Sequence, residues 1–320
     1  MSNSRRIAAF LLPLALIGCD AETLRQSSLD THKVCRLYRM GTIPVSLSDT
    51  LPIIPFKVNA LQSSAIMDTG GIATFISPSQ ANAAKAHTSF GRGIWIEGIG
   101  GHPTFVPLMW ANTVQIGDIK WGHGVQLAIS GQPNDEPGAV VNVVGMDFLD
   151  KFDYDLDFAH HKISVFSTEN CVHPEPPWDT TSTGVPLSRV EHDHKVTMPV
   201  AFTGDLLEAE FDTGSMTSYL TRAGARKAGV SDAELDRDPL EVLTGVDGNR
   251  KIRRHRFAEI AIGEDVLRDF TMDVDDAHYT NLGVDMIIGM DYIAQHHLWL
   301  SLSTNALFID SGERKKSVRG

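Results

Sequence analysis

The chain carries one short segment twice, in the same setting each time. Met67-Asp68-Thr69-Gly70-Gly71 and Phe211-Asp212-Thr213-Gly214-Ser215 lie 144 residues apart, as do Pro55 and Pro199 upstream and Gly145 and Gly289 downstream. The two glycines sit in Val143-Val144-Gly145-Met146-Asp147 and Ile287-Ile288-Gly289-Met290-Asp291. Ile116-Gly117-Asp118 and Ile262-Gly263-Glu264 match with a shift of 146, a small change of loop length in between. Such a register restricts the chain to two like units of about 130 residues, and duplication of one unit is its simplest origin. The boundary is Cys171-Val172-His173-Pro174-Glu175-Pro176-Pro177-Trp178, whose three prolines oppose helix and central strand alike.

Within each unit, apolar runs alternate with Gly, Pro, Asn and Asp punctuation, which implies an all-β fold in two lobes. Strands are expected over Ile53–Val58 and Ala65–Met67, and over Val196–Phe202 and Leu206–Phe211, each pair leading to an Asp-Thr-Gly turn. Short helices are expected at Ser79–Ala86 and Arg222–Ala228, and from Asp147 and Asp291, acids suited to a helix N-cap or first turn. Segment boundaries follow: a leader over 20–44, a first lobe over 45–170, a linker over 171–184, a second lobe over 185–312 and a basic tail over 313–320.

One Asp-Thr-Gly triplet is an ordinary turn, because Asp bonds its own backbone and Gly accepts unusual φ. Two of them at equivalent places, each after an apolar strand and each followed by apolar-apolar-Gly, resemble the paired loops of the aspartic peptidases. The resemblance covers most of residues 45–312. It implies that each lobe is a small closed barrel-like unit with a flap hairpin, with Val143-Val144-Gly145 and Ile287-Ile288-Gly289 crossing behind the loops. The short lobes look more like the retroviral type, duplicated and fused, than like larger pepsin lobes. It also implies that Asp68 and Asp212 are the catalytic pair, acting on a water without a covalent intermediate and needing no cofactor. Two carboxyls held close cannot both ionise, so one keeps a proton; aspartic peptidases are the standard instance of that effect. Which aspartate holds it is open, since such a pair titrates as a unit.

The resemblance extends to the neighbours. Thr69 and Thr213 are expected to bond across the lobe junction, against the plainer reading that each satisfies its own turn. Gly70 and Gly214 let backbone amides approach the carboxylates. Ser215 is placed to donate to Asp212, whereas Gly71 offers Asp68 no hydroxyl, an asymmetry between the two loops. Ile94–Gly101, with Gly98, Gly100 and Gly101 at its tip, followed by Thr104–Leu108, reads as a flap hairpin; Leu243–Gly248, with Gly245 and Gly248, is its weaker counterpart. The alternative for both is an ordinary hairpin.

The first nineteen residues read as an export signal: Arg5 and Arg6, an apolar run over Ile7–Ile17 too short to span a bilayer as a permanent helix, then Leu16-Ile17-Gly18-Cys19. That ending resembles the lipobox of bacterial lipoproteins, which implies acylation of Cys19 and a membrane tether; a plain secretory signal is the alternative. Asp20 resembles a signal for retention at the inner membrane, facing the periplasm. In an oxidising compartment Cys35 and Cys171 are either a disulfide or two thiols. A formal charge of −12, from 40 acidic and 28 basic residues, argues against a nucleic-acid partner.

His160-His161, His192-Asp193-His194 and His296-His297 offer no third ligand at metal spacing and read as loop residues. Lys251–Arg256 reads as a charged edge strand, and Trp95, Trp110, Trp121 and Trp299 as core. The function expected is an envelope endopeptidase acting as a monomer on a polypeptide strand, with an internal pseudo-dimer in place of a second subunit. Its rival is a tethered peptide-binding protein that kept the fold but does not cleave.

Overall fold

The computed structural model describes residues 34–97, 103–129, 142–172, 175–178, 184–189, 195–245, 248–277 and 283–310. From Cys35 onward the chain clusters as one unit built on three sheets. The first half supplies β1 (Arg36–Pro44), β2 (Ser46–Ser48), β3 (Leu51–Val58), β4 (Leu61–Met67), β5 (Phe75–Ile76), β6 (His87–Glu97), β7 (Pro103–Ile116), β8 (Ile119–Ile129), β9 (Val143–Val144), β10 (Asp153–Asp157) and β11 (Lys162–Glu169). The second half supplies β12 (Val185–Pro186), β13 (Ser188–Arg189), β14 (Val196–Phe202), β15 (Asp205–Phe211), β16 (Tyr219–Leu220), β17 (Leu240–Gly245), β18 (Gly248–Ile262), β19 (Asp265–Asp275), β20 (Met286–Ile288), β21 (His297–Ser301) and β22 (Ala306–Asp310).

One eight-stranded sheet runs β2-β3-β4-β9-β5-β8-β7-β6 and closes through β3 with β7; the other runs β13-β14-β15-β20-β16-β19-β18-β17 and closes through β14 with β18. Strand for strand, the second order repeats the first. Alternation drives the closure: β3 sends Ile54, Phe56 and Val58 inward, and β14 sends Val196, Met198, Val200 and Phe202. The third sheet, β1-β11-β10-β21-β22-β12, draws on both halves, with β10 beside β21 at its centre. Leu156, Ile163, Val165, Leu298, Leu300, Leu307 and Ile309 of this sheet join the core residues of both barrels in one apolar cluster.

The helices are short and capped. The hydroxyl of Ser77 accepts from the Gln80 amide ahead of α1 (Pro78–Ala83), which has proline in its first turn. α2 (Met146–Leu149) follows Gly145. Thr221 caps α3 (Arg222–Lys227) through the Gly224 amide, Ser231 and Glu234 form a capping box on α4 (Asp232–Leu235), and α5 (Met290–Ile293) follows Gly289. α2 and α5 thus begin one residue before Asp147 and Asp291, leaving both acids in the first turn.

Three expectations need correction. Residues 36–44, assigned to the leader, form β1, because they pair with β11 from Arg36↔Glu169 to Pro44↔Lys162, and a disulfide joins Cys35 to Cys171 beside that pairing. Lys251–Arg256 is not an edge: β18 lies between β17 and β19, and Arg253, Arg254 and Arg256 meet Asp276, Asp273 and Asp269. Of the four tryptophans, Trp299 is core and Trp121 is half-buried against Phe148 and Phe152. Trp95, however, is 69% exposed, edge-on to Phe105, and Trp110 is also exposed, both on the β6–β7 hairpin.

Candidate active site

β4 and β15 end at Asp68 and Asp212. Each strand runs parallel to a short partner: Met67 lies opposite Val144 of β9, and Phe211 opposite Ile288 of β20. The amides of Asp68 and Asp212 donate to the carbonyls of Val144 and Ile288, at 3.0 Å in both cases. Each aspartate then closes its own turn. Oδ1 of Asp68 accepts from the Gly70 and Gly71 amides (2.9 and 2.8 Å), and Oδ1 of Asp212 from the Gly214 amide (2.8 Å).

The two loops are locked to each other by their threonines, both fully buried. Thr69 Oγ1 donates to the Phe211 carbonyl and accepts from the Thr213 amide, at 2.7 and 3.0 Å; Thr213 Oγ1 donates to the Met67 carbonyl and accepts from the Thr69 amide at the same two distances. Every backbone group that these hydroxyls satisfy is held across the junction. The glycines set the approach. A Cβ on Gly70 would lie 2.6 Å from Cγ of Asp212, and one on Gly214 would lie 2.4 Å from Cγ of Asp68, so each loop presses bare backbone against the opposite carboxylate.

The carboxyl groups are within hydrogen-bonding reach of one another. Burial lifts Asp68 well above the ordinary carboxylate range, and the charge of Asp212 lifts it further. Burial raises Asp212 too, offset in part by the Gly214 amide and by the hydrogen bond with Asp68. The pair therefore keeps one proton at pH values where a lone carboxylic acid would have lost it.

Behind each loop stands a second duplicated contact that sequence reading assigned only to helix capping. Thr74 Oγ1 donates to Asp147 Oδ1 (2.7 Å) and accepts from the Gly145 amide (3.0 Å). Ser218 Oγ donates to Asp291 Oδ1 (2.7 Å) and accepts from the Gly289 amide (2.9 Å). These contacts tie the segment following each Asp-Thr-Gly turn to the glycine that crosses behind it. The signal was available, since Thr74 and Ser218 are also 144 apart and both carry a hydroxyl.

Ser215 departs from expectation: its hydroxyl donates to the Thr217 carbonyl (3.0 Å), because the loop turns it away from Asp212. Backbone amides serve both carboxyls, Gly70 and Gly71 at Asp68, and Gly214 with Gly70 and Ser215 at Asp212. The β6–β7 hairpin pairs up to Glu97↔Pro103 and buries Val106, while Gly98, Gly100 and Gly101 lie outside the described residues. In the counterpart, Gly245 of β17 pairs with Gly248 of β18 at the closed end. Four described histidines meet acids, His160 with Asp157, His296 with Asp265, His297 with Asp155 and His255 with Asp238, and the loop reading fails for His297, which opens β21, and for His296, which is buried; His192 and His194 lie outside the described residues. Among the described residues, no group of three His, Cys, Asp or Glu is arranged to hold a metal, and no helix is long and apolar enough to cross a membrane.

The sequence model of a family described as aspartyl protease matches residues 198–292, which include the second Asp-Thr-Gly loop and Ile287-Ile288-Gly289. No curated protein matches the chain. Among solved structures, the chain is similar to the crystal structure of an aspartic proteinase from Irpex lacteus, at 11% identity and a TM-score of 0.54, over 86% of this chain and 98% of that one. The fold is therefore the all-β, two-lobed fold of an aspartic proteinase, with a closed barrel in each lobe.

Proposed function

We propose that the chain is an aspartic endopeptidase that hydrolyses peptide bonds with a water activated between Asp68 and Asp212. The observation that carries this reading is the pair of touching, partly exposed carboxyls, raised by burial and held in a reciprocal threonine lock. In the proposed reaction the ionised member takes a proton from water as the oxygen attacks the peptide carbon, and the protonated member donates to the carbonyl oxygen. The tetrahedral intermediate then collapses with protonation of the leaving nitrogen, and no bond to the enzyme forms. The substrate in this reading is an extended polypeptide laid as a strand between the dyad and the two hairpins.

The family match over 198–292 supports the second half of this reading, and the shared fold supports the pairing of the halves. Both aspartates reside in one chain, which supports a monomer as the working unit. The N-terminal pattern ending at Cys19 supports export and a lipid tether, and Asp20 supports retention at the inner membrane, with the body in the periplasm.

The test is cleavage of a diverse peptide library from acidic to neutral pH, beside Asp68→Asn and Asp212→Asn. Each substitution is expected to lower the rate by about 10²–10⁴-fold, the usual worth of positioned acid–base catalysis. Cleavage unaffected by both, or no cleavage by the unaltered protein at any pH, would sink the enzyme reading in favour of peptide binding. A rate per molecule that falls on dilution would refute the monomer.

A further inference from the structure

The six-stranded sheet has an overhang that neither barrel covers. β10 pairs with β11 only as far as Asp153↔Phe166, so beyond that point Ser167–Glu169 pair with Arg36–Tyr38 alone. A two-stranded ribbon of this kind is marginal by itself in water. The disulfide between Cys35 and Cys171 closes its end. What it displays is unusual for a solvated ribbon: Tyr38 and Met40 are 44% and 47% exposed, and Val172, just past the disulfide, is 76% exposed. Arg36 and Arg39 lie among them, also exposed, together with Glu169, which stands opposite Arg36 and accepts from the Tyr38 hydroxyl (2.8 Å), in a chain whose formal charge is −12.

We propose that this ribbon is a docking surface for an anionic lipid bilayer, with Tyr38, Met40 and Val172 entering the headgroup region and Arg36 and Arg39 meeting lipid phosphates. Tyrosine places an apolar ring and a polar tip at such a boundary, and arginine keeps its charge in the headgroups while its stem lies along apolar surface. With Glu169 set against one arginine, the ribbon keeps one positive charge, which draws it toward anionic lipid although the chain as a whole is acidic. The occupant is set by what the chain does next. Residues 20–34 join Cys19 to the ribbon and span at most about 50 Å when fully extended. The inference thus rests on the lipid-tether reading, though not on peptidase activity. Once Cys19 is in a membrane, the ribbon is the described element nearest to it along the chain, and docking it would fix the orientation of the body above the bilayer.

Full-length protein carrying Val172→Trp, reconstituted into vesicles of phosphatidylcholine and phosphatidylglycerol, tests this by fluorescence. The emission that the introduced indole adds to the native tryptophans is expected to fall by about half when brominated lipid replaces the ordinary lipid. The same probe at Leu206→Trp, an exposed position near the start of β15, is expected to keep its emission. Arg36→Glu with Arg39→Glu should abolish any preference for anionic over pure phosphatidylcholine vesicles. Equal quenching of the two probes, or none of the Val172→Trp probe in vesicle-bound protein, overturns the proposal while leaving the tether intact and turning the ribbon toward a protein partner. Failure of the unaltered protein to join vesicles at all overturns the tether and the proposal together.

Discussion

The two halves of the molecule meet at the dyad and again at the six-stranded sheet, and they treat these meetings differently. At the dyad they are alike: Thr69 and Thr213 exchange the same four hydrogen bonds, and Thr74–Asp147 and Ser218–Asp291 repeat the support behind. At the six-stranded sheet, 144 residues carry Asp153, Asp155 and Asp157 of β10 onto His297, Trp299 and Ser301 of β21, so equivalent places hold unlike side chains. Asp155 accepts from Nε2 of His297 (2.6 Å) and from Nε1 of Trp178 in the linker (3.0 Å); Asp153 accepts from Ser301 and Ser303. The difference follows from what each meeting must do. Two carboxyls that share a proton need matched surroundings, whereas two strand faces that bury polar groups against each other need complementary ones.

The threonine lock provides the largest test of the likeness. Thr69→Val leaves a buried carbonyl and a buried amide unpaired, and Thr213→Val leaves the equivalent two, so each is expected to cost about 3–5 kcal/mol by chemical denaturation. The two losses should agree to within about 1 kcal/mol. A clear inequality would show that one half sets the geometry and the other follows.

Next in size is a departure from symmetry inside the second barrel. Lys195 lies 3.4 Å from Glu210, whose side chain is 5% exposed, where the first half has Leu51 and Ile66 at the equivalent places. Lys195→Leu alone takes this partner from a buried charge and is expected to cost about 3 kcal/mol, whereas Lys195→Leu with Glu210→Ile should come within about 1 kcal/mol of the original. If the double variant is no better than the single, the ion pair has a role that the first half does without.

The sheet contact should respond to pH in both directions. Burial works against the Asp155 carboxylate, but hydrogen bonds from His297 and Trp178 outweigh it and lower its pKa, so its contribution is present above the usual value of 3.8 and is lost as pH falls through the depressed one. The bond to Asp155 raises His297, so its contribution is complete below 6.5 and is lost as pH rises through the raised value. A Tm plateau between those limits is expected, and Asp155→Asn should flatten the two flanks while lowering the plateau by a few degrees. Flanks that persist in Asp155→Asn would move the effect elsewhere. The smallest change is expected at Ser215→Ala. With the hydroxyl bonded to Thr217 rather than to Asp212, activity should stay within about threefold.

What the sequence revealed divides along the same line. The repeat placed β3, β4, β14 and β15 and the Asp-Thr-Gly loops, because symmetry-related parts leave a register that can be read by comparing the chain with itself, whereas the bonds of the threonines across the junction were implied by the resemblance to aspartic peptidases. Features without a counterpart left no such mark. β1 reads as polar leader because Arg36-Leu37-Tyr38-Arg39-Met40 is exposed on nearly every side and is a strand through its pairing with β11. Trp95 reads as core by residue type, yet the hairpin carrying it has no layer over that face. The direction of the Ser215 hydroxyl depends on the path of the loop out to Thr217, which composition does not encode.

The reciprocal lock has a further consequence if the chain is, as proposed, an exported peptidase that carries its own cutting chemistry. Each loop takes its threonine hydrogen bonds from the other half, so neither half can complete the dyad while the other is still unfolded. Competence is thereby conditional on completion. A chain emerging from export would stay inert toward itself and its neighbours until its last strands were in place, with folding itself serving as the safety catch.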